Sequence, residues 1–349
     1  MEPSNFSKYE NKGLTGLANV GNTCYLNSCM QILSHTYELN DMLEGEGYKK
    51  KLNNKPDSVL LIEWDKLRQL MWSENCTIAP NGFVHAIRSI SSVKKKDLFT
   101  GFAQNDVSEF LLFLIESFHN SLSREVDIDI KGDAKCHTDA LAIKCFEMMR
   151  NMYKKDYSEF LDLFFGISLT QIKSIETNEL LGCRPEPFCT ISLSMPTENK
   201  AITLFDCLNE YCKMERLEGD NAYLNEKTGK KEDVDKGTLF WSLPNIMIIE
   251  LKRYDMYGKK LQNYVAIPMD DVDFSTYVIG YTKYLSVYDL YGVCNHSGGT
   301  LGGHYTCCVR NANGKWYEFN DTSVSEVSID KVISPKSYCF FYRKKNRLL

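Results

Sequence analysis

Apolar residues recur at helical spacing through roughly the first 150 positions of the chain and then give way to short, closely packed runs. Within 25–33, Leu26, Met30 and Leu33 share one side with Cys29, a pattern that predicts a helix starting at or near Cys24. Positions 59–72 and 81–90 read as two further amphipathic helices, and 140–153 as another. The strongest signal lies at 104–118, where Val107, Phe110, Leu111, Leu114, Ile115 and Phe118 form one buried face behind an acidic start at Asp106 and Glu109. Beyond about residue 160, β-branched and aromatic runs bounded by turn residues predict strands at 164–175, 188–193, 238–241, 246–254, 285–294, 304–310, 315–319 and 337–343. A helical first half and a strand-rich second half predict an α+β architecture, with a cleft between a helical lobe and a sheet lobe. Residues 1–12 are polar and read as a loose tail.

Composition narrows the function classes. The 349 residues carry 41 Lys and Arg against 46 Asp and Glu, a net charge of −5, so no global basic field is available to hold nucleic acid. Apolar runs are too short to cross a bilayer, and the start lacks the basic and apolar segments of a signal peptide. Thirteen cysteines, an odd number with no C-x-x-C pair, read as reduced thiols in a cytoplasmic or nuclear protein.

One of those thiols has a special position. A sulfur at a helix N-terminus faces unpaired N–H groups and the positive end of the dipole, which lowers its pKa and predicts a reactive Cys24. Glycines at 13, 16 and 21 let the preceding loop turn tightly, and Asn19 and Asn22 supply amide donors near the sulfur. Of six histidines, His35, His85, His119 and His137 fall on helices or in a charged connection, whereas His296 and His304 share a glycine-rich segment that reads as a mobile loop between strands. Asn313-Gly314 is a strong hairpin signal, and folding there returns His304 to Asn320, Asp321 and Thr322. Cys24, His304 and either Asn320 or Asp321 thus form a candidate nucleophile, base and orienter. Taken separately, the two halves also suit an ordinary packed cysteine and an ordinary polar-ended hairpin.

The motifs themselves carry a resemblance. Gly16-Leu-Ala-Asn-Val-Gly-Asn-Thr-Cys-Tyr-Leu-Asn-Ser28 resembles the Cys box of the ubiquitin-specific proteases, and Gly302-Gly-His-Tyr-Thr with Trp316-Tyr-Glu-Phe-Asn-Asp321 resembles their His box. Gln104-Asn-Asp-Val-Ser-Glu-Phe-Leu111 and Leu243-Pro-Asn-Ile-Met-Ile-Ile-Glu-Leu-Lys-Arg-Tyr254 are similar to two further family segments, in the family's order. The resemblance implies a papain-like catalytic domain over 13–345 that grips ubiquitin, with a thumb at about 13–160 and fingers and palm at about 161–345. It implies Cys24 as nucleophile, His304 as base, Asn320 as orienter, Asp321 in support and Asn19 as oxyanion donor. Substrate contacts fall on Gln104, Asp106, Glu109, Gly302, Gly303 and Tyr305, with 293–301 as a blocking loop over the tail channel. No cofactor is implied, and the catalytic domain is expected to be monomeric, acting on ubiquitin and ubiquitinated proteins. Family fingers often bind zinc through two C-x-x-C pairs. Here Ser174 and Thr177 stand at the first pair and Leu224 and Lys227 at the second, so no structural zinc is expected, and Cys183, Cys189, Cys207 and Cys212 have poor spacing for a substitute. Other readings are a protease for another ubiquitin-like modifier, an inactive ubiquitin-binding scaffold, or a cysteine acyltransferase.

Overall fold

Residues 24–34 pack on every side. In a computed structural model describing residues 6–45, 47–96, 98–99, 105–196, 201–225, 228–299 and 302–345, helix α1 (Cys24–Ser34) has all eleven residues buried. Its Gln31 side chain donates to the Thr15 carbonyl at 2.7 Å. Around it stand α2 (Tyr37–Met42), α3 (Asp57–Ser73), α4 (Asn81–Val93) and α5 (Val107–Leu122), followed by α6 (His137–Tyr153), α7 (Glu159–Phe164) and, later in the chain, α8 (Leu204–Cys212). Asp106 caps α5, its carboxylate accepting from the N–H groups of Ser108 and Glu109, which explains the acidic start seen in the sequence.

Two sheets follow. The first joins β1 (Gly166–Ser174), β2 (Leu180–Phe188), β4 (Glu215–Leu217) and β5 (Val234–Ser242) in the order β2-β1-β5-β4. Strand β2 is absent from the sequence reading because Pro185 and Pro187 break the usual signal. The structure tolerates both because β2 is an edge strand, where a missing N–H costs no ladder bond. The second sheet contains β3 (Thr190–Ser194), β6 (Ile246–Lys252), β7 (Val287–Gly299), β8 (Gly302–Arg310), β9 (Trp316–Asn320), β10 (Ser323–Val327) and β11 (Ser337–Lys344), ordered β10-β9-β8-β7-β11-β6-β3. Alternation along β6 separates two cores: Ile246 and Ile248 face the helical lobe with α1 and α5, while Met247, Ile249 and Leu251 face α8. Helix α8 opens with a Thr203/Asp206 capping box, a readable start signal the periodicity missed.

Two expectations are corrected. The polar start packs from Phe6 onward: Phe6–Tyr9 is a short 3-10 helix, and the Tyr9 ring stacks on Tyr37 at 4.5 Å. The glycine-rich segment is not an open loop over its described residues. Strands β7 and β8 run through it, with His296 opposite Tyr305 and Gly299 opposite Gly302; Thr300 and Leu301 lie outside the described residues. Gly298, at φ +121°, and the bare Gly303 backbone make this close pairing possible, since a Cβ on Gly303 would sit 2.4 Å from the His296 ring.

Candidate active site

The loop before α1 is held from both sides. Gly16–Leu17 pairs in parallel with Thr77–Ile78, and the Leu17 N–H donates to the Asp321 carbonyl at 2.9 Å. Gly16 lies so close to the following turn that a Cβ there would be 2.3 Å from the Thr322 carbonyl oxygen. Asn19 is locked in one orientation. Its side-chain oxygen accepts from the N–H groups of Gly21 and Thr23, and its Nδ2 donates to Asp321 at 3.0 Å. Gly21 and Asn22, both at positive φ, turn the chain into Cys24, the first residue of α1.

Cys24 is only 2% exposed. Burial pushes its thiol up from the ordinary value, and the Asp321 charge adds to this; N–H groups of Tyr305, Tyr25 and Cys24 itself oppose the rise. The low thiol pKa expected from the helix terminus is therefore overturned: desolvation outweighs the N–H groups. The Tyr305 contact also fixes where the sulfur lies, against the backbone of the residue that follows His304.

His304 projects from β8, and its Nε2 lies 2.7 Å from Asn320 Oδ1 at the end of β9. A carbonyl oxygen only accepts, so Nε2 carries the proton and Nδ1 presents its lone pair. The alternatives left open by the sequence are thereby separated: Asn320 meets the imidazole, while Asp321 turns the other way at φ +50° and accepts from Asn19 and Asn27. Asn27, on α1 and 2% exposed, was missed by sequence reasoning. Its place one turn after Cys24 was the available signal.

Asp106 accepts from the Tyr338 hydroxyl at 2.8 Å as well as capping α5, and Glu109 is exposed beside it. Gln104 lies outside the described residues. Gly302 and Gly303 pair with Gly299 and Gly298, and Tyr305, 6% exposed, packs its ring 4.5 Å from His296. His296 is a buried neutral imidazole held at about 4 by desolvation and the nearby Lys260, whose ammonium donates to its Nδ1 at 2.9 Å. Arg253, 1% exposed, donates to the carbonyls of Ser337, Leu261 and Asn263 and so fastens the segment that carries Lys260. His35, discounted as a helix-end residue, caps α1 and is fully buried.

At the far sheet, Thr177 N–H donates to Ser174 Oγ within the β1–β2 turn, and Leu224 is exposed; Lys227 lies outside the described residues. Cys183, Cys189, Cys207 and Cys212 are dispersed over three separate hydrophobic clusters. Among the described residues, no three His, Cys, Asp or Glu side chains are grouped to hold a metal ion, and no helix is long and apolar enough to cross a membrane.

Comparison with known proteins places this geometry. Residues 15–342 match the family described as Ubiquitin carboxyl-terminal hydrolase. The chain is 34% identical over 346 residues to human Ubiquitin carboxyl-terminal hydrolase 2, covering 95% of this chain and 55% of that protein. It is 34% identical over 357 residues to the Gallus gallus protein of the same description, covering 98% and 96%. The chain spans about half the length of the first curated relatives it matches. In fold it is similar to the SAGA DUB module Ubp8/Sgf11/Sus1/Sgf73 bound to ubiquitin aldehyde, with a TM-score of 0.72 at 22% identity over 100% of this chain and 72% of that one. The architecture is the α+β, papain-like hand of the ubiquitin-specific proteases. With the match running from the loop before Cys24 to the last strand of the sheet, the chain belongs to the ubiquitin carboxyl-terminal hydrolase family.

Proposed function

We propose that this chain is a thiol-dependent hydrolase that cleaves peptide or isopeptide bonds after the C-terminal glycine of ubiquitin. The observation that carries the reading is the 2.7 Å contact between His304 Nε2 and Asn320 Oδ1, made on the strand whose next residue, Tyr305, meets the Cys24 sulfur. His304 takes the thiol proton at Nδ1 while Asn320 holds the ring in the required tautomer. The Cys24 sulfur attacks the glycyl carbonyl, the amine leaves with the proton from His304, and a thioester remains. Water, deprotonated by the same nitrogen, then releases the ubiquitin carboxylate and restores the thiol. The second Nδ2 hydrogen of Asn19 is the oxyanion donor, with the first held by Asp321. Asp106 and the exposed Glu109 receive basic residues of the ubiquitin tail.

A ubiquitin derivative with a C-terminal electrophile tests the reading. It is expected to form one covalent adduct that maps to Cys24, with hydrolysis of a ubiquitin C-terminal fluorogenic amide. A protein that labels elsewhere, or that cleaves only a different modifier in parallel assays, overturns it.

A further inference from the structure

The Tyr338 hydroxyl lies between two carboxylates. It is 2.8 Å from Asp106 Oδ2 and 3.0 Å from Glu250 Oε1, and Ser192 Oγ donates to the other Glu250 oxygen at 3.1 Å. A phenol has one hydrogen and can donate it to one of the two carboxylates. Two ionised carboxylates cannot both accept it, so the second short contact needs a second proton, carried by a carboxyl that donates to the tyrosine oxygen. Glu250, on β6, is the partner with grounds to keep it: it is half-buried, and burial and the Asp106 charge raise its pKa and outweigh the hydrogen bonds from Tyr338, Ser192 and Ser108 that lower it. The array then reads Glu250 O–H to Tyr338 O–H to Asp106 carboxylate, with one net negative charge.

We propose that Glu250 is a positioning residue for substrate: through the shared Tyr338 hydroxyl it holds Asp106 for a cationic substrate side chain, and it gives up its own proton when that cation docks. This inference rests on the hydrolase reading above. A docked cation favours the doubly charged form of the pair, so the Glu250 O–H bond breaks, its proton passes to solvent, and affinity for the cationic segment increases with pH.

The other titratable groups around the pair do not exchange protons in the neutral range. Tyr338 and Cys339 on β11, Tyr305 on β8, Tyr254, and Cys29 on α1 with Cys294 on β7 are all pushed up by burial, and His296 stays neutral. Glu250 is left to respond.

The test compares wild type with Glu250→Gln, whose amide mimics the protonated acid and has no proton to release. With a ubiquitin C-terminal fluorogenic substrate, wild-type KM is expected to fall about five- to tenfold as pH rises through the titration of Glu250, the scale of roughly one pK unit of linkage. In Glu250→Gln, KM stays near the wild-type acidic value throughout, and kcat is unchanged. A ubiquitin substrate lacking its tail arginines removes the dependence in wild type. Independently of any substrate, carbon-13 NMR of the free protein is expected to show Glu250 titrating above the ordinary carboxylate range and moving back toward it in Asp106→Asn, which removes the neighbouring charge. If KM of Glu250→Gln tracks wild type across pH, or if Glu250 titrates normally in the free protein, the inference is overturned while hydrolysis stands. Failure of wild type to cleave or bind ubiquitin overturns the hydrolase reading itself, and the NMR titration then decides the Glu250–Tyr338–Asp106 proton arrangement alone.

Discussion

The Asn27 amide donates to the Asp321 carboxylate at 2.7 Å, joining residues 294 positions apart. This bond ties the helix that presents Cys24 to the turn that follows Asn320. Asn27→Ala leaves a half-buried carboxylate oxygen short of a donor, at a cost of about 1 kcal/mol. The expected signature is a kcat about 10- to 100-fold lower with little change in KM, because a misplacement of about 1 Å has effects of that size. Steady-state kinetics on a ubiquitin C-terminal substrate checks it.

The same carboxylate acts on the thiol. Because burial first, and Asp321 second, push the Cys24 pKa up, alkylation of Cys24 by iodoacetamide is expected to accelerate with pH beyond the range of an ordinary thiol. Asp321→Asn removes the anionic neighbour and shifts that curve to lower pH, while turnover falls because the new amide keeps a single acceptor oxygen and one of Asn19 and Asn27 loses its own. A curve that stays in place, or moves to higher pH, contradicts the assignment. Cys24→Ala is expected to lose turnover and retain ubiquitin binding.

His304 and Asn320 give a test with a conservative control. Asn320→Ala frees the ring to adopt the wrong tautomer and is expected to lower kcat by about a hundredfold. Asn320→Asp keeps an acceptor for Nε2–H and is expected to retain most of the activity.

Acid sensitivity has an identifiable source in the core. Burial holds His35 at about 4, below its ordinary value, while its Nδ1 donates to the Gln31 carbonyl. The unfolded chain therefore binds a proton that the folded chain refuses as pH falls below about 6.5, and the stability contributed by neutral His35 is lost between there and about 4. The full loss is on the order of 3 kcal/mol, and His296 acts with the same sign. Urea unfolding at several pH values is expected to show a shallower acid slope in His35→Leu than in wild type, whatever that variant's stability at neutral pH.

Gly16→Ala places a Cβ 2.3 Å from a backbone oxygen that has no rotamer by which to escape. It is expected to lower both Tm and kcat. Gly47→Ala, with nothing within 4 Å of the added carbon, is the matched control and is expected to change neither.

The helices that carry one apolar face were legible in the sequence: the 24–34 and 107–122 helices sit within a few residues of their predicted spans, because burial there follows the 3.6-residue period. The return of His304 to Asn320 was legible because Asn313-Gly314 fixes the hairpin. Other features depended on long-range context. The two prolines of β2 hid an edge strand, and the short 3-10 helix at Phe6–Tyr9 packs through Tyr9 stacked on Tyr37, a contact its own composition does not announce. The direction of the Cys24 pKa shift was misread because helix-end chemistry is local, whereas the burial that outweighs it comes from strands nearly 300 residues downstream. Asn27 and Glu250 escaped notice for a related reason: each becomes meaningful only through a partner, Asp321 or Tyr338, that folding alone brings near.

The order of these parts along the chain also bears on when the candidate site is assembled. Cys24 leaves the ribosome 280 positions ahead of His304. At elongation rates of roughly 5–20 residues per second, the sulfur waits about 15–60 s for its imidazole. During that interval Cys24 is without the imidazole that the proposed reaction uses, and the two side chains meet only when the final sheet closes.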